Sequence, residues 1–388
     1  LLAAQATAQV PERERFEPMD VFGLEWATDP QISPDGSQVV YVRNANDIMT
    51  DRAGTNLWLI STDGQNHRPI TSGPGSNTSP RWSPSGDRLL WVSSRGGSSQ
   101  LWLRWVQTNE DHRITNLTES PGNISWSPDG EWIAFTMFVE NDPDPALAQG
   151  MPSPPEGAEW AAPAVVIDEV QYKNDGQQGF AREGNVHVFV VPAEGGTPRR
   201  LTRGPYNHTA PVWTPGGRSL VIVANRRHDS DFEANDTDLY EVSLEDGSLT
   251  RLTDRYGPDA GPAVSPDGRS IAYVGFDDAY QGFQVSRLYV MNRDGSGRRE
   301  IVTALDRSVG GVQWSGDGRS LFVQFTDEGA GHVARVSLDG DVDVVVDDLG
   351  GTAIGRPYAG GSYSVSVGGT VAYTRSDPMR PSDVGLAV

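Results

Sequence analysis

The stretch Trp126-Ser127-Pro128-Asp129-Gly130, with the apolar run Ile133-Ala134-Phe135 behind it, constrains the fold most, because it recurs. Ile32-Ser33-Pro34-Asp35-Gly36 leads into Val39-Val40-Tyr41, and Trp82-Ser83-Pro84-Ser85-Gly86 leads into Leu89-Leu90-Trp91. Trp213-Thr214-Pro215-Gly216-Gly217, Val264-Ser265-Pro266-Asp267-Gly268 and Trp314-Ser315-Gly316-Asp317-Gly318 follow. A worn copy, Val365-Ser366-Val367-Gly368-Gly369, precedes Val371-Ala372-Tyr373. Proline presets φ at the second turn position, and glycine takes the φ > 0 position without a Cβ clash. The hydroxyl residues fall at 33, 83, 127, 214, 265, 315 and 366, so five of the six intervals are 44 to 51 residues and the sixth is 87. A tight turn between apolar runs at that period is the signature of propeller blades.

Each copy holds short apolar runs of strand length. In the first they end at Ile32, then cover 38–43 and 56–61, and a fourth closes at Ile70-Thr71. The fourth run tends to end in an apolar residue plus threonine, as in Leu117-Thr118, Leu201-Thr202 and Leu252-Thr253. The fold expected is all-β: a seven-bladed β-propeller of four-stranded antiparallel blades over residues 30–388. The seventh blade is incomplete, with runs at 362–366, 370–375 and 382–388 and no fourth. Eleven Trp, 44 Gly and 27 Pro suit many short strands and tight turns. The tryptophan ending the first strand is expected to pack between neighbouring blades. Helical periodicity is confined to a turn or two around 19–26.

The long interval marks an insertion. Residues 139–184 separate the second and third strands of blade 3 and contain Pro143, Pro145, Pro152, Pro154, Pro155 and Pro163. Such stretches tend to carry function; a short strand at 164–172 is expected within it. In four-stranded blades the first-to-second and third-to-fourth turns share one face, here the turn face. The second-to-third loops and the links between blades share the other, the loop face. The insertion belongs to the loop face, and both chain termini are expected there too.

Charge and composition narrow the function. With 52 acidic against 31 basic residues the net charge is −21, which disfavours nucleic-acid backbones and anionic membranes. No Cys is present, which excludes disulfides, thiolate metal sites and cysteine nucleophiles. No apolar run is long enough for a membrane-spanning helix. Residues 1–9 read as the end of a signal peptide, Ala4-Gln5-Ala6 and Ala6-Thr7-Ala8 both fitting the small-residue cleavage pattern. That predicts a periplasmic or extracellular protein; without such a leader the expected place is the cytoplasm. Residues 10–29 form a polar lead-in. No metal-ligand cluster or cofactor motif appears.

More specific stretches carry a family resemblance. They are Met19-Asp20-Val21-Phe22 with 27–36, Gln171-Tyr172-Lys173-Asn174-Asp175-Gly176, His187-Val188-Phe189-Val190-Val191, Arg199-Arg200-Leu201-Thr202, and 371–378 with Pro381-Ser382-Asp383-Val384. Together, over residues 17–388, they resemble the propeller of the prolyl oligopeptidase family of serine peptidases, nearest its acylaminoacyl-peptidase-like branch. The resemblance implies a partner, a C-terminal α/β-hydrolase domain bearing a Ser-Asp-His triad, expected after residue 388. The propeller would cover that active site and admit only short peptide substrates. This chain holds no Gly-x-Ser-x-Gly elbow, and its six His have no Ser/Asp pattern beside them, so no catalytic residue is expected in it.

Candidate substrate-binding or gating residues lie on the loop face. Asp168 and Glu169 are adjacent acids in the insertion, and dipeptidyl-peptidase relatives use paired acids to hold a substrate's amino terminus. Tyr172 and Asp175 belong to the distinctive 171–176 stretch. Arg226, Arg227 and Asp231 in the blade 4 loop either meet a peptide carboxylate or pair at a domain interface. Self-association into a homo-oligomer is left open. Two alternatives stand beside the peptidase: a stand-alone TolB-like propeller binding other proteins, and the propeller of an amidohydrolase fusion.

Overall fold

The computed structural model describes residues 16–141, 154–160, 167, 170–176, 178–301, 305–351 and 360–388. Five sheets have four antiparallel strands each, in sequence order from the innermost outward. In the sixth, four strands covering Val309–Trp314 to Val342–Leu349 meet three more, Tyr363–Val365, Val371–Asp377 and Arg380–Ala387. The two parts are joined as one ladder by a single residue pair, Leu349 with Arg375, which fits a complete sixth blade and a three-stranded seventh. The only described helix is one 3-10 segment, Pro18–Gly23, where the sequence suggested a helical turn.

The repeat residues explain why each copy folds alike. Ser127 Oγ donates to Asp129 Oδ1 at 2.5 Å and accepts from the Trp132 amide at 2.8 Å, while Gly130 N donates to Ser127 O at 2.9 Å with φ +70°. Ser33, Ser265 and Ser315 make the same pair of bonds. The tryptophans do cross between blades: each indole N–H donates to a carbonyl on the preceding blade's first strand. The pairs are Trp82 to Gln31 (2.9 Å), Trp126 to Arg81 (3.1 Å), Trp213 to Ser125 (3.3 Å) and Trp314 to Ala263 (2.9 Å).

The threonines just after the fourth strands do more than end a run, and in blade 2 the residue in this role is Thr115, not the expected Thr118. Thr71, Thr115, Thr202 and Thr253 accept the amides of Leu57, Leu101, Val188 and Leu239 at 2.8 to 3.0 Å, satisfying buried donors of the third strand. Four residues before six of the seven turn hydroxyls, at 29, 79, 123, 210, 261 and 311, the first strand carries a left-handed residue at a bulge. Only the last two are glycines, so the bulge was not legible as a glycine pattern.

Burial follows the seams. Seven apolar clusters each join two adjacent blades, from Val40, Leu57 and Trp91 between blades 1 and 2 to Ile32, Val39 and Ala372 between blades 1 and 7. The last is the smallest. It is supplemented by Ile32 N to Ser364 Oγ (2.8 Å), Ser382 Oγ to Ala27 O (2.6 Å) and Val367 N to Pro34 O (3.2 Å).

One expectation is corrected. Val388 lies beside Val367, Gly368 and Gly369, on the turn face, not the loop face. The reason is parity: with three strands in the seventh blade, the chain has crossed the disc an odd number of times since entering that blade.

Candidate functional site

The loop face differs in chemistry from the turn face. Of nineteen exposed large apolar side chains among the described residues, fourteen are on it. Two sit in the lead-in (Phe16, Met19), two in the blade 1 loop (Ile48, Met49) and five in the insertion (Trp160, Ile167, Val170, Tyr172, Phe180). The others are Phe232, Tyr256, Tyr280, Phe283 and Met379. The turn face is made of short Ser-Pro-Asp-Gly-type turns and exposes Val367 and Val388.

The insertion is anchored at its neck. Asn141 N donates to Glu183 O at 3.1 Å, and Val139 and Glu140 still pair with Asn185 and Gly184. Arg182 holds Glu119 through two hydrogen bonds, 3.0 and 2.8 Å, with its guanidinium 4.6 Å from the Phe138 ring centroid. Gly184, at φ +152°, has no room for a Cβ: one would stand 2.4 Å from Val139 O.

The named candidates separate. Asp168 and Glu169 lie outside the described residues, as does most of the strand expected at 164–172; the described Val170, Gln171 and Tyr172 form none. Tyr172 is exposed, its ring 6.4 Å from Phe180, and its carbonyl accepts from Ala181 N at 2.8 Å. Asp175 is exposed at the turn beyond it. Asp231 Oδ2 accepts from Val170 N at 3.2 Å, tying the blade 4 loop to the insertion. Arg227 is committed within its own loop, to the buried Asp236 at 2.6 Å. Arg226 is not: its Nη1 meets His208 Nε2 at 2.8 Å and its guanidinium lies 4.6 Å from the Tyr206 ring centroid.

Around Arg226 is a group that sequence reasoning passed over. His187, on Gly184–Pro192, and His208, on His208–Trp213, are both buried and stack at 5.3 Å. Arg200 Nη2 contacts His187 Nε2 at 2.6 Å. Burial, then Arg200, Arg203 and Arg226, hold His187 down to about 4; burial, then His187 and Arg226, hold His208 down to about 3. Both rings are therefore neutral at physiological pH, and neither has the Ser/Asp setting of a catalytic base. The two histidines are 21 residues apart in sequence, and only blade-to-blade packing joins them. Knowing that both begin strands at the loop face was the available signal.

Two further features were missed for the same reason. Tyr256, Tyr280 and Glu233, from three separate loops, meet through their hydroxyl and carboxyl groups. A groove of about 930 Å³ opens on blade 1, lined among others by Glu25, Arg43, Asp47, Arg52 and Trp58. Among the described residues no His/Asp/Glu group is arranged to hold a metal ion, and no helix is long and apolar enough to cross a membrane.

Comparison with known proteins bears on these features together. Residues 21–146 match the TolB β-propeller domain family. The chain is 27% identical over 337 residues to the uncharacterized peptidase YuxL of Bacillus subtilis, covering 83% of this chain and 50% of that protein. It is 24% identical over 347 residues to dipeptidyl-peptidase 5 of Porphyromonas gingivalis, covering 84% and 48%. The chain thus spans about half the length of these curated relatives. In structure it is similar to the acylaminoacyl peptidase of Pyrococcus horikoshii, with a TM-score of 0.71 and 15% identity over 94% of this chain and 51% of that one. The chain is accordingly a β-propeller, similar in sequence to these peptidases over about half their length, with TolB-type repeats in residues 21–146.

Proposed function

We propose that this propeller is part of a serine peptidase of the prolyl oligopeptidase type and that its loop face lies against an α/β-hydrolase domain carrying the Ser-Asp-His triad. The observation that carries the reading is the division of apolar surface between the two faces, fourteen exposed large side chains against two among the described residues. Apolar surface gathered on one side marks an interaction face. A match to half the length of two peptidases supports the same reading.

The propeller's part in catalysis is then steric. It contributes no nucleophile, base or metal; it limits what reaches the triad, so short flexible peptides enter and folded proteins do not. Discrimination of this sort acts on access, separately from acyl transfer. Export through the alanine-rich leader belongs to the same proposal. Labelling the full-length gene product with a serine-reactive fluorophosphonate tests it: one labelled serine, outside this chain, is expected. Absence of labelling, or a reading frame stopping at Val388, would refute it and leave the metal-dependent amidohydrolase or the stand-alone binding propeller.

A further inference from the structure

We propose that Arg200, Arg203 and Arg226 form a carboxylate-binding site at the loop-face seam of blades 3 and 4, and that its ligand is the C-terminal carboxylate of a short peptide. The choice of a peptide as ligand rests on the peptidase reading; the site itself rests on the geometry.

Two guanidiniums meet the histidine pair directly, Arg200 on the fourth strand of blade 3 and Arg226 just beyond Ser219–Ala224, and Arg203, in the link after Arg200, adds its positive field at His187. The stacked imidazoles of His187 and His208 lie between them. Guanidinium groups only donate, so His187 Nε2 and His208 Nε2 must accept, which puts each ring proton on Nδ1. His187 Nδ1 has Thr202 Oγ1 at 3.2 Å. The histidines thus bring no negative charge to the cluster and use up one N–H of each of two arginines.

No described carboxylate pairs with any of the three. Their neighbours are treated differently: Arg227 pairs with Asp236, Arg251 with Asp238, Arg255 with Asp259 and Arg182 with Glu119. In a chain with 52 acidic and 31 basic residues, three cations left together without a counter-charge stand out. Their mutual repulsion is relieved when an anion arrives; Arg200, whose Nε donates to Thr202 O at 2.7 Å and whose Nη2 faces His187, keeps its outer Nη edge for it, and a free guanidinium fork matches a two-oxygen anion. Arg203 is exposed, leaving an approach from solvent, whereas Arg226 is oriented by Tyr206 and His208.

The test is a titration of this chain with N-acetyl-trialanine and with its C-terminal amide, read from the His187 and His208 ring C–H resonances. The free acid should shift both resonances saturably, and the amide should bind at least about tenfold more weakly, the loss of one charge-assisted contact. Arg203→Gln, at an exposed position, should weaken the acid about tenfold with the fold intact; Arg226→Lys should recover part of what Arg226→Gln loses. Inorganic phosphate at matched ionic strength should bind more weakly than the peptide. Equal affinity for acid and amide, unshifted histidines, or phosphate preferred over the peptide would each overturn the proposal. None of these results alters fluorophosphonate labelling, so the site can fail while the peptidase reading stands.

Discussion

Acidification should destabilise this propeller through two buried histidines. His187 has a folded pKa near 4 against 6.5 for the free side chain, and His208 is held near 3. A histidine with a depressed folded pKa binds its proton more readily in the unfolded chain. Its contribution is therefore complete above pH 6.5 and is lost as the pH falls toward the folded value. For His187 alone the loss between pH 7 and 4.5 is about 2 kcal/mol, and His208 adds to it in the same window. That is a large share of the ~5–15 kcal/mol that holds a typical domain together. Asp238 acts in the opposite sense: burial raises it to about 6, so it takes up a proton more readily when folded and gains relative stability as the pH falls from there. Comparing the wild type with a His187→Gln/His208→Gln variant cancels that effect, since Asp238 is present in both. Urea midpoints at half-unit steps from pH 7 to 4.5 should fall more steeply for the wild type, by at least about 2 kcal/mol across the range. Parallel curves would show that the pair is not held neutral by burial and the surrounding arginines.

Thr202→Val keeps the shape but strands the Val188 amide, so it should cost about 1–3 kcal/mol in chemical denaturation, whereas Thr202→Ser should cost little. Trp126→Phe removes the indole donor to Arg81 O and part of the contact with Arg88, and should lower stability by about 1–3 kcal/mol. Ala210 stands at φ +49°, so Ala210→Gly should be neutral or slightly stabilising despite the added freedom of the unfolded chain. In the peptidase proposed above, deleting 143–163 should change the rate or the preferred peptide length while leaving the thermal unfolding of the propeller intact, because the neck closes at Asn141 and Glu183; unchanged kinetics on short and long peptides would refute a gating role.

The blades were legible because their code is local. A turn such as Ser127 to Gly130 is stabilised by bonds spanning at most five residues, so it can be recognised in isolation. The tryptophan's place between blades followed from its period, but its acceptor, 45 residues upstream in the case of Trp126, did not. The left-handed bulge escaped notice because Asp29, Ser79, Asn123 and Ala210 share only a conformation, not a chemistry. The site was legible in outline alone. Counting strands put Arg226, Arg227 and Asp231 on the loop face, yet nothing in the order of residues distinguishes Arg227, spent on Asp236, from Arg226. His187 and His208 were passed over because a search for a nucleophile's partner asks for Ser and Asp neighbours. What matters for this pair is burial beside arginines from separate strands.

The seam between blades 7 and 1 brings together the last and first blades in chain order and, among the described residues, holds the smallest apolar cluster, Ile32, Val39 and Ala372. Warming should part it first. An opened ring has two unlike ends that fit each other, and nothing in that fit requires both ends to come from one molecule. Two opened rings can therefore exchange ends and close as a pair, or pass the mismatch along a chain of subunits. Heat treatment at high protein concentration would then produce swapped oligomers built from intact blades, and dilution before cooling would return monomers.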